Sequence, residues 1–340
     1  MSKFIKKKWF IGIDISKPFI DAALVNEMAP KRFILGHFSN DLKGFESMKA
    51  WFIKQDVTIS TCLFCMEHTG TYGLLLFAWL EQQNADYCVE PGLQIKSSLG
   101  MTRGKEDKVD ARRIATYAME KKAKLNPFKL PSGNLIRIKQ LLTYRDQLVR
   151  IRTSLKNSIK SHQEYQQISS LDFVTSDIQK QISHLNESVD NSEKQIKEII
   201  YSEKELLQNF NLATSVKGIG LIITAFMLVT TNNFTGFENG RKFACYSGIA
   251  PFPDESGTSI RGQTKVSHLA NKKVKTLLSN GANSAKSFDP EIKAYYKRKI
   301  EEGKNHKSII NAISCKLVNR VFAVIKRQTP YVSTYQQIFA

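Results

Sequence analysis

Trp9, Phe10, Ile11, Ile13 and Ile15 make a run apolar enough for a strand buried on both faces, yet Asp14 stands inside it. A carboxylate in that setting loses its hydration unless a positive group meets it. Any fold for this chain must therefore bring a cation to Asp14, from another segment or from solution. The stretch "WFIGIDISKPFIDAALV" continues as a hairpin about Ser16-Lys17-Pro18, and "RFILGHFS" adds a third strand.

"NDLKGFESMKAWFIKQ" then takes up the helical period, with Leu42, Phe45, Met48 and Phe52 on one side. A buried strand in "TISTCLFCMEHTG", a helix in "YGLLLFAWLEQQ" and a strand in "ADYCVEP" follow. Three strands, helix, strand, helix, strand is the order of an α/β ribonuclease H-like domain. "GKEDKVDARRIATYAMEKK" reads as one more helix and "NPFKLPSG" breaks the chain, so this domain is expected over 1–130. Cys62 and Cys65 form a CxxC followed by His68, but no second Cys/His pair lies at zinc-site spacing. Buried strand cysteines are the expectation, and the odd total of five suits a reducing cytoplasm.

Over 131–210 the pattern changes to heptads: Leu141, Tyr144, Leu148, Ile151 and Leu155, then Ile178, Ile182, Leu185, Val189, Ile196, Ile199 and Leu206. Two long helices are predicted, paired as a coiled-coil hairpin or with a second subunit, which makes a dimer or tetramer the expected assembly. The first carries Arg137, Lys139, Arg145, Arg150, Arg152, Lys156 and Lys160 against Asp146. That face is either solvated or tracks a nucleic-acid backbone, with Arg145, Arg152 and Lys156 as candidate contacts.

A mainly α-helical domain is expected over 211–330, with a tail over 331–340. "SVKGIGLIITAFML" resembles a helix-hairpin-helix turn, in which Lys217 and the glycines Gly218 and Gly220 admit a phosphate at a helix N-terminus. The Gly-, Pro- and Ser-rich "FENGRKFACYSGIAPFPDESGTSIRG" reads as an exposed loop before helices from about 267 to 327, where Lys272 and Lys273 are further candidate contacts.

Lys and Arg number 50 against 31 Asp and Glu, a net charge of +19. Spread along the chain and not gathered beside an amphipathic anchor, this excess favours a polyanion over a membrane surface. The apolar run near Leu221 is too short to span a bilayer, and the basic N-terminus meets Gly12 and Asp14 too soon for a signal peptide. A cytoplasmic, nucleoid-associated protein with no membrane partner is expected.

In the ribonuclease H-like order the first strand lies beside the end of the fourth, where Glu67 stands, and beside the helix of Asp107 and Asp110. Spacing of i, i+3 puts the last two on one helix face. At ~5 Å and an effective dielectric of 20, each like-charged pair repels by roughly 3 kcal/mol. Cations must offset that, and oxygen-only ligands select Mg²⁺ or Mn²⁺. Each acid also has an ordinary reading, as a turn cap or a helix-starting residue favoured by the dipole.

"IGIDISK", "MEHTGTYG" and "RGKEDKVDARRIA" resemble the three blocks of the DEDD transposases of bacterial insertion sequences, the insertion-sequence 110 type that includes Piv-type DNA invertases. "VKGIGLIITAFML", "FACYSGIAPFPDESG" and "ANKKVKTLLSNGANSA" resemble blocks of their C-terminal transposase domain. The resemblance implies a RuvC-like domain with catalytic acids at Asp14, Glu67, Asp107 and Asp110. It implies a nucleophilic serine at Ser256, which would form a covalent phosphoserine link to double-stranded DNA, and a structured guide (bridge) RNA as partner. Arg261 and Lys265 stand near Ser256 to steady phosphate charge, and Ser259 is the rival nucleophile. This sequence departs from the family pattern in "TTNN", which lacks an acid, and in His268 and Ala270. The alternatives are a metal-dependent nuclease of branched DNA that uses water, and a non-catalytic nucleic-acid scaffold. A sugar-kinase phosphate loop in "GIDISK" fails for want of a later Gly-rich adenosine motif.

Overall fold

A computed structural model describes residues 4–68, 70–98, 107–165, 172–256, 260–266 and 270–332. It divides into two units, Met1–Leu130 and Pro131–Ala340.

In the first unit, the apolar segments β1 (Trp9–Ile15), β2 (Phe19–Asn26) and β3 (Ala29–Ser39) form an antiparallel meander. After α1 (Leu42–Lys54) the chain returns as β4 (Cys62–Glu67), and after α2 (Leu74–Gln82) as β5 (Asp86–Glu90), both parallel to β1. The sheet order is β3-β2-β1-β4-β5. A mixed five-stranded sheet in this order is consistent with the ribonuclease H-like expectation. The side-chain period of two divides β1 cleanly. Ile11, Ile13 and Ile15 join Phe45, Met48, Phe52 and Leu76 under α1 and α2. Leu42, expected on that buried side, opens α1 beyond the edge of the core and is exposed.

Phe10 points to the other face and meets α4 (Asp107–Lys121) together with Ile95 of α3 (Gly92–Ser98), a short helix the sequence reading passed over. Gly12 lies on this α4 face between Phe10 and Asp14. A Cβ placed on it would come 2.1 Å from the Ala111 carbonyl oxygen and 2.2 Å from the Ala115 amide nitrogen. The backbone of α4 therefore rests directly on the backbone of β1, an approach only glycine allows.

In the second unit α5 (Gly133–Tyr165) and α6 (Asp172–Tyr201) run antiparallel. Arg145 pairs with Glu193 and Arg152 with Asn186, so the partners step backward along α6 as they step forward along α5. On α6 the expected stripe is inward, with Val189, Ile196 and Ile199 buried. On α5 the phase differs: Leu135, Ile138, Leu142 and Leu148 are buried, whereas Tyr144 and Ile151 are 50% and 43% exposed. The first turns of α5 pack on α7 (Lys204–Thr214) and α8 (Leu221–Thr230) as well as on α6, and that second contact sets the helix rotation.

The remaining elements are α9 (Gly240–Tyr246), β6 (Pro251–Ser256), β7 (Ile260–Val266), α10 (Lys272–Phe288), α11 (Pro290–Glu301) and α12 (His306–Arg327). The segment expected as an exposed loop thus contains a helix and a two-stranded antiparallel ribbon. Both strands of a ribbon are edges, so Pro251 and Pro253 are tolerated where a central strand would exclude them. The apolar residues of α12 from Ile309 to Val324 form the centre of this unit's core. By length and composition alone α12 could cross a membrane, but its apolar stripe is spent on that core.

Gly12→Ala is expected to destabilise the first unit by about 3 kcal/mol or more, because backbone atoms of Ala111 and Ala115 must move. Gly133→Ala at the open start of α5, where a Cβ meets nothing within 4 Å, should change stability by less than about 0.5 kcal/mol. Urea denaturation of the two variants beside the parent chain measures the difference.

Candidate catalytic site

One transverse row of the sheet carries an ionisable group on every strand. His37 of β3 pairs with Asp21 of β2, and Asp21 pairs with Asp14 of β1. The β1–β4 ladder ends at Ile13 opposite Met66, which puts Asp14 one step on, level with Glu67. Glu67 in turn pairs with Glu90 of β5. Residues paired directly across a ladder point to the same face, here the α4 face, on strands ~4.8 Å apart. Like charges opposite one another are destabilising, and the row is partly compensated at one end, where the Asp21 carboxylate lies 3.0 Å from His37 Nδ1.

A fifth carboxylate, Asp110, is carried by α4. Asp110 immediately precedes Ala111, whose carbonyl lies over Gly12, so it belongs to the turn of α4 that is seated on β1. Its Oδ1 accepts a hydrogen bond of 2.8 Å from Arg113. A guanidinium beside this carboxylate occupies the electrostatic role of a cation. Asp107 opens α4, and its side chain lies outside the described residues.

Among the described residues no three His, Cys, Asp or Glu side chains stand as a ready ligand cluster. The donor set is nonetheless all oxygen at Asp14, Glu67 and Asp110, which suits a hard divalent ion. Space beside Glu67 is also kept clear. A Cβ on Gly92 would lie 1.8 Å from Glu67 Oε1 and 2.2 Å from its Cδ. These residues fit Mg²⁺ or Mn²⁺ as the partner of the row. The CxxC does not: Cys62 faces the α1–α2 side and Cys65 the α4 side, so their sulfurs cannot share an ion. Burial pushes the Cys62 thiol up to about 12, far from the thiolate a metal needs.

Glu90, absent from the sequence-derived set, borders the row on β5. Burial raises its pKa, while a 3.4 Å contact from the Tyr117 hydroxyl opposes that rise. Tyr117 lies on α4, takes a 3.0 Å hydrogen bond from Gln94 Nε2 and is itself pushed up to about 12 by burial and then by Glu90. Asp21, Glu90 and Gly92 had no motif to mark them. Only the register "DISKPFID" for Asp21, and the repeat of a strand-ending Glu in "CME" and "CVE", gave a signal.

Ser256 is the last residue of β6, level with Ile260 of β7, while Glu255 pairs with Arg261 and Phe252 with Lys265. The hairpin tip, with Ser259, and His268 lie outside the described residues, as do the side chains of Ser256, Arg261 and Lys265. Of the expected nucleic-acid contacts, three are held inside the unit. Arg145 Nε donates to Glu193 at 2.7 Å, Arg152 to Asn186 at 2.8 Å, and Lys273 Nζ to Asp146 at 2.6 Å. Lys156, Lys217 and Lys272 are exposed. Gly218 has φ +92°, and a Cβ there would meet the Gly281 carbonyl at 2.5 Å, so this glycine serves packing against α10. Gly220 caps α8 with open space around it.

Because the atom in the way at position 92 is the end of a flexible side chain, Gly92→Ala should leave the fold intact and turn the Glu67 carboxylate aside. Calorimetry should then find Mn²⁺ binding weakened roughly tenfold or more at an unchanged melting temperature. Unaltered binding would remove Glu67 from the ligand set.

Residues 11–164 match the family model described as "Transposase" of the IS110 DEDD type, and residues 211–297 match "Transposase IS116/IS110/IS902 family". The pilin gene-inverting proteins of Moraxella bovis and Moraxella lacunata are each 30% identical over 335 residues, covering 95% of this chain and 98% of theirs. An IS110 insertion-element protein of Streptomyces coelicolor is 31% identical over 120 residues, covering 35% of this chain and 29% of its own. With two family models in chain order and full-length relatives among the pilin gene-inverting proteins, the chain belongs to the DEDD transposase family of the IS110 type.

Proposed function

We propose that this chain is a DNA recombinase that cuts and rejoins double-stranded DNA through its acidic row and a covalent Ser256–DNA link. The observation that carries the reading is the row itself. Asp14 and Glu67 stand level on adjacent strands, and α4, the helix of Asp107 and Asp110, is seated on Gly12 of the strand that carries Asp14. Asp14, Glu67, Asp107 and Asp110 would hold the divalent ion. When bound, Mg²⁺ or Mn²⁺ supplies Lewis acidity at the scissile phosphate.

In the cutting step the Ser256 hydroxyl attacks phosphorus, one phosphorus–oxygen bond to a deoxyribose breaks, and the serine proton leaves with the released sugar hydroxyl. The energy of the broken ester is kept in the Ser–O–P ester. A hydroxyl from another strand then reverses the step, restoring serine and a continuous backbone. Arg261 and Lys265 steady the phosphate charge while the bonds exchange.

Exposed cations on α5 and in the Ser215–Gly220 turn fit backbone contacts, and the turn between α7 and α8 acts as a helix-hairpin-helix element at Gly220. The α5–α6 pair works as a coiled coil that joins copies into a dimer or tetramer. Tyr144 and Ile151, one heptad apart and exposed, supply the edge for that contact. A structured guide RNA selects the DNA, as the family resemblance implies, and the reaction takes place in the bacterial cytoplasm.

Incubated with the DNA ends of its element, the flanking transcript and Mg²⁺, the parent chain should give a DNA–protein adduct that survives a denaturing gel. Ser256→Ala should reduce that adduct to background while DNA affinity at fixed salt is kept. If Ser256→Ala still cuts DNA at the parent rate, water is the nucleophile and the protein is a metal-dependent nuclease. Asp14→Asn should abolish cutting by either route. If it cuts normally, the acidic row is not the catalytic centre.

A further inference from the structure

Asn40 follows β3 at the far edge of the meander, yet its side chain works at the ends of β1 and β4. Its amide nitrogen donates two hydrogen bonds, one to the Ser16 carbonyl at 2.9 Å and one to the Tyr72 carbonyl at 3.1 Å. Its backbone amide donates to the Pro18 carbonyl at 2.9 Å. Ser16 lies two residues beyond Asp14, in the turn that leaves β1. Tyr72 lies five residues beyond Glu67, in the turn that leaves β4 for α2. One amide group therefore ties together the two segments by which the strands of Asp14 and Glu67 exit the sheet.

The amide orientation is forced, because the reverse would aim Oδ1 at two carbonyl oxygens. As a consequence Oδ1 is buried with no hydrogen-bond donor among the described residues. A buried acceptor without a partner is unfavourable by about 1–3 kcal/mol. The two hydrogen bonds it donates are thus made with its acceptor left unpaired, which suits a side chain whose donors serve geometry.

Resting on the reading of the acidic row as a divalent-cation site, we infer that Asn40 is a positioning residue. It fixes the spacing of Asp14 and Glu67 through their exit turns, and thereby sets the affinity of the row for Mg²⁺ or Mn²⁺. Neighbours that orient metal ligands typically alter metal affinity 10–100-fold when removed.

The test uses the full chain without nucleic acid and Mn²⁺ as probe, with calorimetric binding and melting temperature measured side by side. Asn40→Ala removes both donors and should weaken Mn²⁺ binding about tenfold or more, with a melting temperature close to that of the parent. Asn40→Asp also loses both donors but adds a negative charge. Positioning requires weaker binding here too, whereas a purely electrostatic influence requires tighter binding, and the latter result overturns the inference. Parent-like Mn²⁺ affinity in Asn40→Ala, with or without a lower melting temperature, also overturns it.

Should both variants fail to fold, hydrogen exchange on the parent chain decides. Mn²⁺ should slow exchange in the 16–19 and 70–73 turns together, and protection of neither or of only one turn overturns the inference. Asp14→Asn separates the two levels of the argument. If it binds Mn²⁺ as the parent does, the cation-site reading fails. If it loses binding while Asn40→Ala keeps it, only the role of Asn40 falls.

Discussion

The backbone of α4 lies on the backbone of β1 at Gly12, and the acidic site depends on that approach. Side chains normally hold a helix about 10 Å from a sheet, too far for short carboxylates on both to share a ligand. With no Cβ at Gly12, and only methyl groups at Ala111 and Ala115, the helix comes down to van der Waals contact with the strand. Asp14 follows Gly12 by two residues and so returns to the same face, while Asp110 precedes Ala111 by one. The helix that carries Asp110 is thus seated on the strand that carries Asp14 by a glycine and two alanines that carry no charge.

This arrangement concentrates negative charge, and the fold compensates it in part at the margins. Arg113 takes Asp110 and His37 takes Asp21, whereas Glu90 responds to its burial by a raised pKa. These neighbours lower the electrostatic penalty of holding the row together before any ion arrives. Parallel β1, β4 and β5 bring their carboxyl ends to one edge, and the antiparallel β2 contributes Asp21 beside its turn. Strand direction, more than any local sequence preference, makes the row continuous.

How much of this was legible follows from the range of each signal. The strand alternation of "WFIGIDI" and the order of strands and helices are local, and they led to the five-stranded sheet and the α4 acids. Gly92 and Asn40 act through contacts with residues 25 and 32 positions away, and nothing in their immediate sequence marks them. The heptad phase of α5 depends on distant contacts in the same way. A stripe beginning at Leu141 and one beginning at Leu135 are both periodic, and packing on α7 and α8 decides between them. The β6–β7 ribbon was hidden by its prolines and glycines, which read as loop unless the strands are known to be edges.

The same limit applies to charge, and it narrows where a polyanion can lie. Sequence counting treats every Lys and Arg on α5 alike, but the fold spends Arg145 and Arg152 on α6 partners and uses Asp146 to hold Lys273 of α10. What remains exposed on α5 is Arg137, Lys139, Arg150, Lys156 and Lys160. Its partner α6 carries Asp172, Asp177, Glu187, Asp190, Glu193 and Glu198 against three lysines, so the hairpin has a basic member and an acidic one. Counterion release rewards only cations that reach phosphate, and acids held nearby repel the backbone. A nucleic-acid strand following this hairpin would therefore lie along α5 and turn away from α6. The net charge of the whole chain, spread over both units, could not have indicated that direction.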